Sequence, residues 1–253
     1  MFRFLLCGLV LLVSTVNAVA EDNQVIELRT YTLTSKAAEA KLDAYLESAL
    51  IPALVRQGLG PLGALDQAEE GDETQVVLLI AGPDTEAVTG AAAKLAADDQ
   101  YQQAAKEYLE TPVKKPVVKR ISSELLLSFD CWPKVTVSDL KKESKPRLFE
   151  MRVYESPTEH RGELKVEMFN NGEVPIFLDC DITPVFMGQA LVGSLMPNLT
   201  YMTVYPNDEA RQAAWQAFRV HPDWQVLKAV EKYKGTVSKI HKSDWVPKSY
   251  SQL

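Results

Sequence analysis

From Val25 to Leu33 the chain alternates, with Ile26, Leu28 and Thr30 on one side and Glu27, Arg29 and Tyr31 on the other, which predicts a half-buried strand. The same alternation returns later. Phe149, Met151 and Val153 form an apolar side there, and Glu150, Arg152 and Tyr154 a polar one. The apolar side of each strand is expected to pack on helices, leaving an acid, a guanidinium and a phenol in a row on the opposite side. Ala38, Leu42, Tyr45, Leu46, Ala49 and Ala53 then recur at helical spacing, with Thr34 or Ser35 as the cap and Pro52 as a break. Thr158 and Pro175 play the same parts further on. Strands are predicted next at Ala64 to Ala68 and at Gln75 to Ala81, and again at Val185 to Val192 and at Asn198 to Tyr205. Gly82-Pro83-Asp84-Thr85 and Pro206-Asn207-Asp208 supply turns that cap helices from Glu86 and from Glu209. Breaks at Asp98-Asp99 and at His221-Pro222-Asp223 lead into helical segments at Tyr101 and Trp224. Closing strands are expected near Ser122 to Phe129 and near Thr236 to His241.

The chain therefore carries one pattern twice. Glu27 to Tyr31 and Glu150 to Tyr154 lie 150 − 27 = 123 residues apart, and the same offset pairs Pro52 with Pro175, Pro61 with Pro184, Pro83 with Pro206 and Tyr101 with Trp224. Recurring prolines mark fixed backbone events rather than a generic apolar position. The expected organisation is a first domain over residues 21–134, a polar linker over 135–146 and a second domain over 147–253. Each copy reads strand, helix, strand, strand, helix, strand, a ferredoxin-like α+β unit with helices on one face of an antiparallel sheet. The two uncovered sheets are expected to pack face to face as an eight-stranded barrel with room inside for a small ligand.

Residues 1–20 stand outside this pattern. Arg3, the apolar run Phe4 to Val13 and the small residues Ala18-Val19-Ala20 make a secretory signal peptide, too short for a permanent membrane span. A secreted or periplasmic protein is expected, without stable membrane insertion after cleavage. Export permits disulfides, and loss of Cys7 leaves Cys131 and Cys180, enough for one bridge whose formation the sequence leaves open. At 24% charged and 46% apolar residues the full sequence is that of an ordinary globular chain, and a net charge of −7 excludes a nucleic-acid surface. His160, His221 and His241 lie too far apart to suggest a metal site, and no cofactor is expected.

The Glu-x-Arg-x-Tyr strand, the helix after it, the long apolar strand and the His-Pro-Asp-Trp turn together resemble the NIPSNAP domain of the dimeric α/β-barrel superfamily. The resemblance spans Val25 to Trp132 and Leu148 to Trp245; the second copy has Glu150, Arg152, Tyr154, His221, Pro222 and Trp224 in place. The first copy keeps Glu27, Arg29 and Tyr31 but has Asp98, Asp99 and Tyr101 at the later turn. The resemblance implies the fold and no single reaction, since its superfamily includes cofactor-free oxygenases, haem-handling enzymes and binding modules. Glu27, Arg29, Tyr31, Glu150, Arg152, Tyr154 and His221 are the candidate ligand-binding set, read as a polar lining inside the barrel. The other reading is an Glu–Arg ion pair that only satisfies charge, with His221 capping a turn. Trp215, Phe218 and Trp224 are spaced as a helix packing face. A small-molecule-binding or structural module is the expected function, with a homo-oligomer as an option. A cofactor-independent oxygenase or isomerase at the Arg/Tyr cluster is the alternative, and haem or metal handling a weaker one.

Overall fold

The structure, a computed structural model, describes residues 23–69 and 71–253; the expected signal peptide lies outside them. Eight strands close into one antiparallel barrel: β1 (Val25–Leu33), β2 (Leu62–Gln67), β3 (Gln75–Gly82), β4 (Val118–Ser128), β5 (Leu148–Glu155), β6 (Thr183–Val192), β7 (Asn198–Tyr205) and β8 (Lys239–Pro247). Around the ring the order is β1-β3-β2-β8-β5-β7-β6-β4. Each half supplies a run of four neighbours, and the two runs meet edge to edge. Leu65, Asp66 and Gln67 pair with Pro247, Val246 and Trp245 at one join. Leu125 to Ser128 pair with Val192 to Gly188 at the other. The sheets thus do more than face each other, because backbone hydrogen bonds seal both seams and leave no free edge. Gly188 allows the second seam, since a Cβ there would stand 2.9 Å from the Leu126 Cβ and 3.1 Å from the Leu127 carbonyl oxygen.

Helices cover the outside. The first half contributes α1 (Glu39–Tyr45), α2 (Ile51–Arg56), α3 (Thr85–Thr89), α4 (Ala91–Ala96) and α5 (Asp99–Leu109). After α6 (Asp139–Lys142), the second half has α7 (Glu159–Met168), α8 (Val174–Asp179), α9 (Asp208–Val220) and α10 (Pro222–Leu227). The offset of 123 holds in three dimensions. A π-helical turn joins α1 to α2 at Leu46–Leu50, and its counterpart joins α7 to α8 at Phe169–Glu173. Pro52 and Pro175 each follow their π-turn at the start of the next helix, where a missing N–H costs little. Asp84 and Asn207 cap the helices after β3 and β7 by accepting from the amides three residues on, and Thr158 caps α7 the same way. Ser35 makes no side-chain cap, and the Thr34 hydroxyl donates instead to the Pro116 carbonyl at 2.8 Å.

Three apolar cores follow from this layering. Ile26, Leu28, Val77, Leu79 and Leu126 of the first half share the lumen core with Phe149, Met151, Met202, Val204 and Trp245 of the second. Tyr31, Leu33, Val76, Leu78 and Ile80 instead join Leu42, Leu46, Leu50 and Leu54 in a core under the first helices. Tyr154, Leu199, Tyr201 and Tyr205 do so with Phe169, Phe177, Trp215 and Phe218 under the second. The alternation in β1 and β5 is as expected but the two faces are exchanged: aliphatics turn inward and the Glu-Arg-Tyr rows turn toward the helices. An eight-stranded lumen is just wide enough for side chains to fill, and here the aliphatic face fills it.

Two further expectations change. Residues 135–146 are no bare linker, because Val135 enters the lumen core, with Val137 and Leu140 packed against it. The closing strand of the second half runs later than Thr236 to His241, because Gly235 at φ +66° and the buried Thr236 turn the chain first. Cys131 and Cys180 are free thiols, and burial pushes Cys131 up to about 12.

The last six residues fasten the first half. Ser251 and Gln252 accept hydrogen bonds from the Ala64 and Leu62 amides at 3.1 and 2.7 Å, and Leu253 enters the lumen core beside Gly63. Lys248 bonds Glu39, and lies 3.3 Å from Asp43 and 3.2 Å from Asp66. Burial works against the Glu39 charge, but bonds from Lys248 and Lys36 prevail and hold its carboxyl at about 2, below the usual 4.5. A carboxyl depressed on folding contributes stability above the unfolded value, and that stability fades as pH falls through the folded one. The difference in urea midpoint between the native protein and Glu39→Gln should therefore be full near pH 6 and shrink between pH about 4.5 and about 2. A difference that stays constant over that window would show that Lys248 and Lys36 do not hold Glu39.

Candidate functional site

Each half presents its Glu-Arg-Tyr row between sheet and helices. In the first half Arg29 donates to both Glu27 oxygens at 2.8 and 2.9 Å, and the Ser123 hydroxyl donates to Glu27 Oε1 at 2.6 Å. Tyr31 is buried in a core that also holds Tyr45 and Tyr101, whose hydroxyls meet at 2.8 Å. Tyr45 stacks on Tyr108 with centroids 3.9 Å apart. These side chains fill their layer.

In the second half the row is drier and better connected. Arg152 donates to Glu150 at 2.8 and 3.1 Å, the Trp215 indole N–H donates to Glu150 Oε2 at 2.7 Å, and the guanidinium lies 3.5 Å over the Trp215 ring. Arg211, anchored to Asp208 and Asp244, approaches Glu150 to 3.7 Å. Arg152 Nη1 also reaches the Tyr154 hydroxyl at 3.4 Å, which meets the Tyr201 hydroxyl at 2.8 Å. Burial pushes the Tyr201 phenol well above its ordinary range.

Next to this network lies a second buried pair that sequence reasoning missed. Lys165 on α7 donates to Glu173 at 2.5 Å, where the π-turn meets α8. The ammonium sits 4.5 Å from the Phe169 ring centroid and within 6 Å of the Trp224 and Tyr154 rings (5.7 and 5.9 Å). Burial pushes the Glu173 carboxyl up, with only Lys165 opposing it. By the offset of 123, Lys165 occupies the position of Leu42 and Glu173 that of Leu50, both fully buried in the first half. That exchange of two leucines for opposite charges was the available signal. A pocket of about 450 Å³ opens here, lined by Arg152, Tyr154, Lys165, Glu173, Trp215 and Trp224 among others.

His221 is not part of it. Its Nδ1 accepts the Asp223 amide at 3.2 Å and caps α10, as Asp98 caps α5 through the Tyr101 amide. His241 and His160 pair with Glu155 and Glu163, and no three His, Cys, Asp or Glu among the described residues are grouped to hold a metal ion. The candidate lining is thus corrected. Glu27, Arg29, Tyr31, Glu150, Arg152 and Tyr154 lie outside the lumen, on the helix side; only Arg152 and Tyr154 of these reach the pocket, and His221 lies apart from it.

Comparison with known proteins fits this arrangement. The family model for NIPSNAP matches residues 149–252. That match falls on the second half of the chain. An uncharacterized NIPSNAP domain protein from Burkholderia xenovorans matches at 22% identity and a TM-score of 0.35, covering 44% of this chain and 99% of its own. Two presumptive monooxygenases share the whole fold. One from Lactobacillus acidophilus has 12% identity, a TM-score of 0.59, and coverage of 89% of this chain and 94% of its own. The other, from Fusobacterium nucleatum, has 9% identity, a TM-score of 0.56, and coverage of 89% and 92%. At such identities the likeness is one of fold, an antiparallel α+β barrel. No curated protein matches the chain. Among the described residues no helix is long and apolar enough to cross a membrane.

The two halves should answer differently to loss of the row's arginine. Arg152 is 9% exposed and Arg29 is 23% exposed. Arg152→Ala leaves Glu150 buried and poorly compensated, a cost of roughly 3–5 kcal/mol. Arg29→Ala should cost less, because the Glu27 side chain is more exposed than that of Glu150 and keeps the Ser123 hydroxyl as a donor. Urea melts of the two variants check this, and equal losses would contradict the difference in burial.

Proposed function

We propose that this protein is an exported small-molecule-binding module. It reads as two NIPSNAP-type units in one chain, the first completing the barrel and the second keeping the ligand pocket. The observation that carries the proposal is the buried Lys165–Glu173 pair at the pocket beside Arg152, where the first half has Leu42 and Leu50. A buried ion pair is a poor route to stability compared with well-packed apolar residues, so its presence in one half only points to a use for the charges. The pocket's size and mixed aromatic and polar lining suit a small organic molecule.

A second reading, cofactor-independent oxygenation or isomerisation, draws on the Tyr154–Tyr201 hydroxyl pair held beside the Arg152 guanidinium, since Tyr154 faces the pocket. Oxygen uptake or isomer formation with an enolisable substrate, lost in Tyr154→Phe, is its test.

Export rests on the pattern of residues 1–20. Mass spectrometry of the mature protein should find Glu21 first. Soluble protein that retains Met1 would remove export from the proposal.

For binding, the residues of the first half can be transplanted. Lys165→Leu, Met168→Tyr and Glu173→Leu together copy Leu42, Tyr45 and Leu50. This variant should fold with a melting temperature at or above the native one, because apolar replacement of a buried pair is commonly neutral or stabilising. A ligand found by thermal shift should stabilise the native protein by about 2.7 kcal/mol at a hundredfold excess over Kd. The same ligand should leave the transplanted variant unmoved. An undiminished shift would place binding elsewhere.

A further inference from the structure

The charges at this pocket are distributed by depth. Arg152, Lys165, Arg219, Lys228 and Lys242 line it, and Glu173 is the one carboxylate among the lining residues. Five cations against one carboxylate give a lining of +4 in a chain whose net charge is −7. The inner two cations are already neutralised, Arg152 by Glu150 and Lys165 by Glu173. Arg219, Lys228 and Lys242 are exposed at the rim, and none of them makes an ion pair among the described residues. Deeper in, Trp215, Phe218 and Trp224 line the pocket with aromatic surface, and the Phe218 and Trp224 centroids stand 4.5 Å apart.

An anion buried at the floor would meet Glu173 and compete for cations already paired. A cation would meet unopposed like charge on the way in. A neutral body enters the aromatic part without either cost, and a negative group left at the mouth meets three unspent cations. Resting on the pocket reading above, we propose that the ligand is an aromatic carboxylic acid, bound ring-first with its carboxylate at the mouth among Arg219, Lys228 and Lys242.

The test is calorimetric titration of the full chain with matched acids, amides and amines built on naphthalene, biphenyl and indole bodies. Each is titrated into the native protein, the rim variant Arg219→Gln/Lys228→Gln/Lys242→Gln, and the transplanted variant above. At least one acid should bind about tenfold more tightly than its amide. That preference should fade as ionic strength rises, since exposed charges are screened. The rim variant should lose the preference while keeping the native affinity for the amide, and the transplanted variant should bind neither. Amides that match their acids, or amines that exceed them, would overturn the acid proposal and leave the pocket reading standing. Binding that survives unchanged in the transplanted variant, or no binding by any body, would overturn both.

Discussion

The architecture depends on two short stretches of backbone pairing, β2 against β8 and β4 against β6. Once both seams are closed, the lumen of an eight-stranded barrel admits little besides packed side chains, and aliphatic and aromatic residues from both halves fill it. The Glu-Arg-Tyr rows on β1 and β5 must then find their partners on the outer face. There the helices supply them, as Trp215 does for Glu150 and Tyr201 for Tyr154. The location of the pocket is a consequence of barrel closure. It lies between sheet and helices because the centre is already full.

The seams also explain the reach of the C-terminal residues. β8 pairs with β2 over three positions only, and the chain beyond it adds hydrogen bonds to Leu62 and Ala64, an ion-pair cluster on Lys248 and an apolar anchor at Leu253. A short ladder is weak by itself, and these contacts extend the same join.

The two halves share a backbone and differ in what they do with it. The π-turn, the proline after it and the caps of the β3 and β7 turns recur in register. Where the first half places Leu42, Tyr45, Leu50 and Tyr101, the second has Lys165, Met168, Glu173 and Trp224. The first set packs its layer with stacked and hydrogen-bonded tyrosines; the second leaves a pocket of about 450 Å³ and places charge in it. The same backbone is thus packed with apolar side chains in one half and left open, with charge at the opening, in the other.

Much of this was legible in the chain itself. Alternation in β1 and β5, helical spacing after them, recurring prolines and the offset of 123 define eight strands, their helices and their order, because these signals depend on residues near each other in sequence. The Glu–Arg pairing was legible too, since residues two apart on a strand share a face. Which face turns inward was not. Both sides of β1 and β5 carry large side chains, and only closure of the barrel assigns the aliphatic side to the lumen. The Lys165–Glu173 pair was hidden for a similar reason. The two lie eight residues apart with a π-turn inside that span, and ideal helical periodicity does not bring them together; only the π-turn and the packing of Phe169 and Trp224 around the ammonium do. Local pattern determined the elements, and the closure of a crowded lumen decided where their charges could go.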